Sequence, residues 1–283
     1  MRLIAPTAFK GTFSPLEAAR RLAAPGDRLF PLSDGGDGFL ECLQWTLGGH
    51  LHILEASDPF GKMRPVPVLE LPDGTVALEC AKVIGLAGLL EPDPLRASSR
   101  GLGDLIRRFE GAPRLWIGLG GSATVDGGLD WPEVKLPLTT AYCDVRTDLL
   151  DAARIFGPQK GAKLEDIPVL EARLAAQSLP SGPGTGAAGG LGAKLLSLGA
   201  TLVEGAPAML DLLGFADACQ GCTAVITGEG RLDASTLEGK LPATVAKRAR
   251  SLGISVIGHF GSLGTGWQAA RGLFDEIREG LLT

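Results

Sequence analysis

The opening of the chain alternates two kinds of segment, and that alternation limits the fold more than any single motif. Residues 2–5 (RLIA) read as a short buried strand and 14–24 (SPLEAARRLAA) as a helix. Ser14 at the N-cap, Pro15 at N1 and Glu17 at N3 give that helix a capping-box start. A second strand-like run, 28–32 (RLFPL), enters S-D-G-G-D-G and then a helix near 37–47. Its apolar residues Phe39, Leu40, Leu43 and Leu47 keep helical spacing until Gly48 stops it. Strand, loop and helix twice in succession is the order of a parallel sheet.

The middle of the chain departs from this style. Residues 50–82 contain three extended runs, two of them around a Pro-Asp-Gly turn, with no helix of useful length between them. That region is expected to be antiparallel. Strand–helix alternation resumes with helix 99–109, strands 114–118 and 140–145, and helices near 165–178 and 187–198. It ends with strand 223–227, helix 241–251, strand 254–259 and a last helix at the C-terminus. The expected architecture is α/β and discontinuous. Residues 1–50 and 200–283 build one α/β domain, and 51–199 form a second α/β domain inserted into it.

Composition narrows the function. A net charge of −5 over 283 residues argues against a broad nucleic-acid-binding face. Apolar runs are broken by Gly or charge well short of the roughly 18 residues that a membrane span needs. The N-terminal run M-R-L-I-A-P has no signal-peptide layout, and five scattered cysteines make no disulfide framework. A cytoplasmic protein that binds neither nucleic acid nor membrane is expected, and a homodimer is one assembly open to it.

The chemistry gathers in glycine-rich loops. In S-D-G-G-D-G, Asp37 suits a helix N-cap, which leaves Asp34 for function and Gly35 and Gly36 for close backbone approach to a ligand. In G-L-G-G-S-A-T-V-D-G-G (118–128), the amides around Gly120 and Gly121 suit an anion, Ser122 adds a hydroxyl, and Asp126 adds a carboxylate for Mg²⁺ or a proton. The run G-P-G-T-G-A-A-G-G contains a formal GxGxxG at Gly184, Gly186 and Gly189, but no strand precedes it. Phosphate binding by a helix N-terminus and close helix packing both remain open there. F-G-P-Q-K-G-A presents Gln159 and Lys160 on a compact turn, and Lys10 holds a similar place after the first strand. Finally T-G-E-G-R-L-D-A-S-T-L-E-G-K (227–240) sets Glu229, Arg231, Asp233 and Lys240 among Gly228, Gly230 and Gly239 at a strand end. Such loops, with carboxylates and cations but no nucleophilic Cys or His, suit phosphoryl transfer, which needs positioning and charge neutralisation. Glu229 and Asp233 are the candidate Mg²⁺ ligands, and Arg231 and Lys240 face phosphate or a substrate carboxylate. No P-loop motif is present.

Taken in order, A-P-T-A-F-K-G, S-D-G-G-D-G, G-L-G-G-S-A-T-V-D-G-G, F-G-P-Q-K-G-A, G-T-G-A-A-G-G and T-G-E-G-R-L-D followed by G-K-L-P resemble the type I glycerate kinase family. The likeness runs from residue 5 to about residue 242. It implies ATP- and Mg²⁺-dependent phosphorylation of D-glycerate to 2-phosphoglycerate. It also implies a discontinuous, doubly wound flavodoxin-like domain beside the inserted one. Catalytic roles fall on Asp34, Asp126 and Lys10, with base and metal ligand not yet distinguished among the carboxylates. The chain departs from the family pattern at Thr7, where Asp is usual, at Val125, at Arg146-Thr147-Asp148 and in a short 128–144 segment. The alternatives are a kinase forming 3-phosphoglycerate, a kinase for another small hydroxy acid, and a catalytically silent ligand-binding relative.

Overall fold

The computed structural model describes residues 1–234, 236, 240–280 and 282. The chain divides into two compact units, residues 1–48 with 205–283, and residues 49–204.

The first unit carries β1 (Arg2–Ile4), β2 (Arg28–Leu29), β9 (Ala224–Leu232), β10 (Ser255–Leu263) and β11 (Glu276–Glu279). All their pairings are parallel, in the order β2-β1-β9-β10-β11. Numbered within the unit this is 2-1-3-4-5, the flavodoxin-like order, and its direction reverses between β1 and β9. Apolar alternation fills the sheet's faces: Ile4 and Ile226 pack with Ala19 and Leu22 on one side, while Val225 and Val256 are buried as well. The helix Pro15–Leu22 starts as its sequence predicts, with the Ser14 hydroxyl accepting from the Glu17 amide at 3.3 Å. That hydroxyl also donates to Glu41 of the helix Phe39–Leu47, which ties the two helix starts together.

Three expectations in this unit are corrected. The second helix starts at Phe39 on Gly38 (φ 83°), and Asp37 is exposed rather than its N-cap. A Cβ at position 38 would lie 2.5 Å from the Pro15 ring, so only glycine fits. The strand expected to end at residue 227 runs on instead, because β9 continues to Leu232 in register with β10. A Cβ at Gly228 would sit 1.7 Å from the His259 carbonyl oxygen, so that glycine serves close strand approach and not a bend. The expected C-terminal helix is a 3₁₀ segment, Trp267–Leu273, followed by edge strand β11.

The second unit carries β3 (His50–Ser57), β4 (Met63–Glu70), β5 (Val76–Glu79), β6 (Arg114–Gly118), β7 (Leu138–Cys143) and β8 (Thr201–Glu204), in that order across one sheet. The β3/β4 and β4/β5 pairs are antiparallel as expected, and the rest are parallel. Leu78, Ile117, Leu102, Ile106 and Leu191 anchor its core. Truncating one such leucine to alanine costs about 2–5 kcal/mol. Strand β8 has no strong signal in the sequence because it is a half-exposed sheet edge. The helix Ala187–Ser197 lies where its sequence predicts, but Ala188, Gly189 and Gly190 inside it have φ of 51°, 68° and 97°. Among the described residues no helix is long and apolar enough to cross a membrane.

Candidate functional site

In the first unit the candidate residues sit at the carboxyl ends of β1 and β9, where the strand order reverses and open α/β sheets bind ligands. The Thr7 amide donates to the Gly228 carbonyl at 3.0 Å, carrying the chain past β1 toward Lys10. A Cβ at Gly230 would lie 3.6 Å from the Lys10 amide nitrogen, so the Lys10 loop passes close over β9. Strand alternation then places Glu229 and Arg231 on one face.

Burial raises the Glu229 carboxyl above its ordinary range, Lys240, a Thr236 hydrogen bond and Lys10 pull it back, and Asp233 adds to the rise. The Thr236 hydroxyl donates to Glu229 Oε1 at 3.1 Å and accepts from the Asp233 amide at 3.4 Å. Asp233 has Lys240 Nζ at 3.6 Å and Arg231 Nε at 3.9 Å. The structure therefore brings Lys10, Glu229, Arg231, Asp233 and Lys240 into one field of mixed charge. Gly239 lies outside the described residues. Asp34 forms its own turn after β2: Oδ1 accepts the Gly36 amide at 3.1 Å, and Gly35 has φ 98°. Gly205 packs against that turn, and a Cβ there would fall 1.7 Å from the Asp34 carbonyl oxygen.

In the second unit the loop after β6 begins accessibly and then turns inward. Gly120 is half-buried and Gly121 exposed at φ 72°, whereas residues 122–128 are all buried. Ala123 donates to the Ile84 carbonyl at 2.8 Å and Gly121 accepts from Leu86 at 2.9 Å. Lys160, expected on a presented turn, is only 4% exposed. Its ammonium donates to Ser122 Oγ and to the Thr124 carbonyl, both at 2.9 Å. Burial brings this lysine down to about 8, against opposing pulls from Asp126 and Cys80. Gln159 is exposed beside it.

Asp126 is buried too, and its oxygens serve the loop. Oδ2 accepts from the Ser99 amide at 2.6 Å and the Ser99 hydroxyl at 2.9 Å, and Oδ1 from the Gly128 amide at 3.4 Å. Burial raises its carboxyl, while the Ser99 bonds, the Gly128 bond and Arg173 pull it back. The Trp131 indole donates to Ser99 Oγ at 2.8 Å, which orients the serine toward Asp126. The structure also resolves the two readings of the 182–190 run in favour of packing. A Cβ at Gly189 would sit 1.9 Å from the Thr124 carbonyl oxygen, and one at Gly186 2.5 Å from that of Asp148. The Gly186 amide donates to Thr147 and the Gly189 amide to Gly186, so neither is directed at an anion.

Sequence reading missed Ser99, Thr236 and Glu79. Ser99 and Thr236 act through contacts 27 and seven residues away, which no local pattern displays. Glu79 ends β5 beside Gly118, is 1% exposed and lies 3.9 Å from Lys82. Its signal, a carboxylate closing an apolar run, was available in V-A-L-E. The described residues hold no cluster of three or more His, Cys, Asp or Glu suited to a metal. Glu229 and Asp233 nonetheless supply carboxylate oxygens, the donor type that a hard cation such as Mg²⁺ takes.

A model of the glycerate kinase family matches residues 2–131 and 132–277. The chain is 37% identical over 294 residues to an uncharacterized protein of Mycobacterium bovis, covering 90% of this chain and 77% of that one. It is 34% identical to the glycerate kinase of Bacillus subtilis and 32% to the glycerate 2-kinase of Escherichia coli, each over 92% of this chain and 85% of the relative. A Salmonella typhimurium LT2 structure assigned as glycerate kinase 2 superimposes with a TM-score of 0.77 at 29% identity, covering 98% of this chain and 89% of that one.

Proposed function

The chain belongs to the glycerate kinase family, and from that premise we propose that it transfers the γ-phosphoryl group of ATP to the 2-hydroxyl of D-glycerate. The hydroxyl oxygen bonds to the γ-phosphorus, the bond to the β-phosphate oxygen breaks, and the products are 2-phosphoglycerate, ADP and a proton. The observation that carries the reading is the mixed-charge cluster at the carboxyl ends of β1 and β9. The Escherichia coli relative's name supports the 2-position.

Glu229 and Asp233 would hold Mg²⁺ on the nucleotide, with the Thr236 hydroxyl linking the Glu229 carboxylate to the Asp233 amide. When bound, that ion would neutralise phosphate charge and polarise the transferred group. Lys10, Arg231 and Lys240 offset charge on phosphate or on the glycerate carboxylate, and Lys240 also holds Asp233 in place. Asp34, half-exposed and oriented by the Gly36 amide, takes the proton of the attacking hydroxyl. Gly35 and Gly36 let that turn approach the substrate closely. Within the second unit taken by itself, Gly120 is half-buried and Gly121 and Gln159 are exposed, so these are the groups of that unit open to an anion. Asp126, with its oxygens accepting from Ser99 and Gly128, shapes the loop rather than moving a proton.

Phosphorus NMR of the protein with ATP, Mg²⁺ and D-glycerate tests this directly. The 2-phosphoglycerate resonance is expected to grow with that of ADP. A 3-phosphoglycerate product would move the transfer to the other hydroxyl. No product, with nucleotide binding intact, would favour the silent relative.

A further inference from the structure

Lys160 is a charged side chain that the proposed reaction leaves without a task. It is 4% exposed, and two of its three donors are committed to Ser122 Oγ and the Thr124 carbonyl. Those acceptors lie on the loop that follows β6, 36 and 38 residues away in sequence. A buried ammonium is costly unless it is well hydrogen-bonded, so the contact is not incidental. Phe156 lies under the same ammonium, with its ring centre 5.9 Å away. The turn that carries Lys160 is itself pinned, since a Cβ at Gly161 (φ +97°) would sit 2.1 Å from the Pro92 carbonyl oxygen.

The other end of the loop is braced by different groups. Asp126 is held by Ser99, its carbonyl accepts from Gln177 at 2.8 Å, and Gly127 donates to the Gly189 carbonyl at 3.0 Å. At the near end Lys160 bonds Ser122, which follows the half-buried Gly120 and the exposed Gly121 in sequence.

We propose that Lys160 is a positioning residue: its buried ammonium draws Ser122 and Thr124 inward, and so presents the amides around Gly120 and Gly121 to a phosphate or carboxylate of the substrates. It acts through the loop and touches neither substrate. The inference rests on the reading of that loop as a substrate-binding element. It separates Lys160 from Lys10, Arg231 and Lys240, whose side chains are half-buried or exposed and are assigned to charge neutralisation.

The test compares Lys160→Met with Lys160→Arg in the full chain, reading steady-state kinetics, thermal unfolding and amide hydrogen exchange. Methionine keeps the apolar stem but leaves the buried Ser122 Oγ and Thr124 carbonyl without their donor, so the unfolding midpoint is expected to fall modestly. In the same variant kcat/KM should fall at least tenfold, with faster exchange at the Ala123 amide and unchanged exchange in β6. Lys160→Arg, which keeps a donor and the charge, should recover part of the rate. Combined with Ser122→Ala, Lys160→Met should lose less than the product of the two single losses, because both break one contact. A rate loss without change in loop exchange would overturn the proposal and make Lys160 a direct ligand. Faster loop exchange with kcat/KM within twofold of wild type would overturn the reading of the loop as a binding element. A large fall in the midpoint that Lys160→Arg fully repairs, with the surviving enzyme at full activity, would make the contact purely structural.

Discussion

Residues 118–128 and 227–240 both combine glycines, hydroxyls and carboxylate, one in the first and three in the second, yet they are built in opposite ways. In the first, Ser122, Asp126 and the Lys160 that reaches Ser122 are buried, with hydrogen bonds of 2.6–2.9 Å from Ser99 to Asp126 and from Lys160 to Ser122. In the second, Arg231, Asp233 and Lys240 meet at 3.6–3.9 Å, and the Arg231 side chain is 63% exposed. The contrast separates two ways of using charge. A buried, fully bonded carboxylate fixes the shape of the backbone around it. A half-exposed one with loosely held cations is free to exchange those partners for a ligand's charges. Composition does not distinguish the two, but burial does.

The largest effect that can break this comparison is steric. Gly189→Val places a side chain against the Thr124 carbonyl at positive φ, and should destabilise the protein by at least about 3 kcal/mol in a denaturant titration. Gly230→Ala in the other segment, whose nearest neighbour would be 3.6 Å away, should cost under about 1 kcal/mol. If the two cost the same, the braced loop is not braced.

Asp233→Ala comes next, with the balance reversed. Turnover should fall at least about a hundredfold, roughly 2.7 kcal/mol in the transition state. Stability should change by only a few tenths of a kcal/mol. Near-normal turnover in this variant and in Glu229→Gln would remove both residues from the proposed site.

Asp126→Asn should do the converse. Either amide orientation sets an NH₂ group against a backbone donor, Ser99 or Gly128, at a cost of about 1–3 kcal/mol in unfolding free energy. A variant as stable as wild type but inactive would return Asp126 to the chemistry.

The last comparison lies in pH dependence, where the two regions have opposite signs. Lys160 falls from 10.5 to about 8 on folding, so the unfolded chain binds the extra proton between those values. Its contribution to stability is full above pH 10.5 and is lost as pH falls through about 8. Glu229 is raised, so its contribution is full in acid and is lost as pH rises through its folded value. Replacing Lys160 with Met should therefore flatten the rise in stability from pH 8 to 10.5, and Glu229→Gln should flatten a decline in acid. Unchanged slopes would show that neither burial persists in solution.

Much of the fold was legible because it rests on local periodicity. The Ser14 cap, the Gly48 stop, the antiparallel 50–82 region and strand 114–118 each follow from a few neighbouring residues. The failures share one cause, which is that a glycine's purpose depends on what faces it. Gly228 looks like a bend and is a strand residue, because the His259 carbonyl is its neighbour. Gly186 and Gly189 look like a phosphate loop and are packing contacts with Asp148 and Thr124. Lys160 suffers the same limit, since a lysine between proline and glycine reads as presented until Ser122 and Thr124 are found around its ammonium. In the candidate site, the charged residues of 227–240 were visible from their density alone. Thr236 and Ser99, which orient them or their counterparts, were not.

The strand order of the first unit has a consequence for the chain as it leaves the ribosome. β1 is flanked by β2 and β9, and 219 residues separate the end of β1 from the start of β9. When β1 and β2 emerge they make a two-strand pair of three and two residues, too little to persist in water. Residues 49–204 meanwhile emerge as one uninterrupted block containing every strand of their own sheet. The insert can thus fold while the first fifty residues wait for β9. During that interval Leu3, Ile4 and the apolar face of Pro15–Leu22 stand open to water, and a nascent-chain chaperone would find its target there.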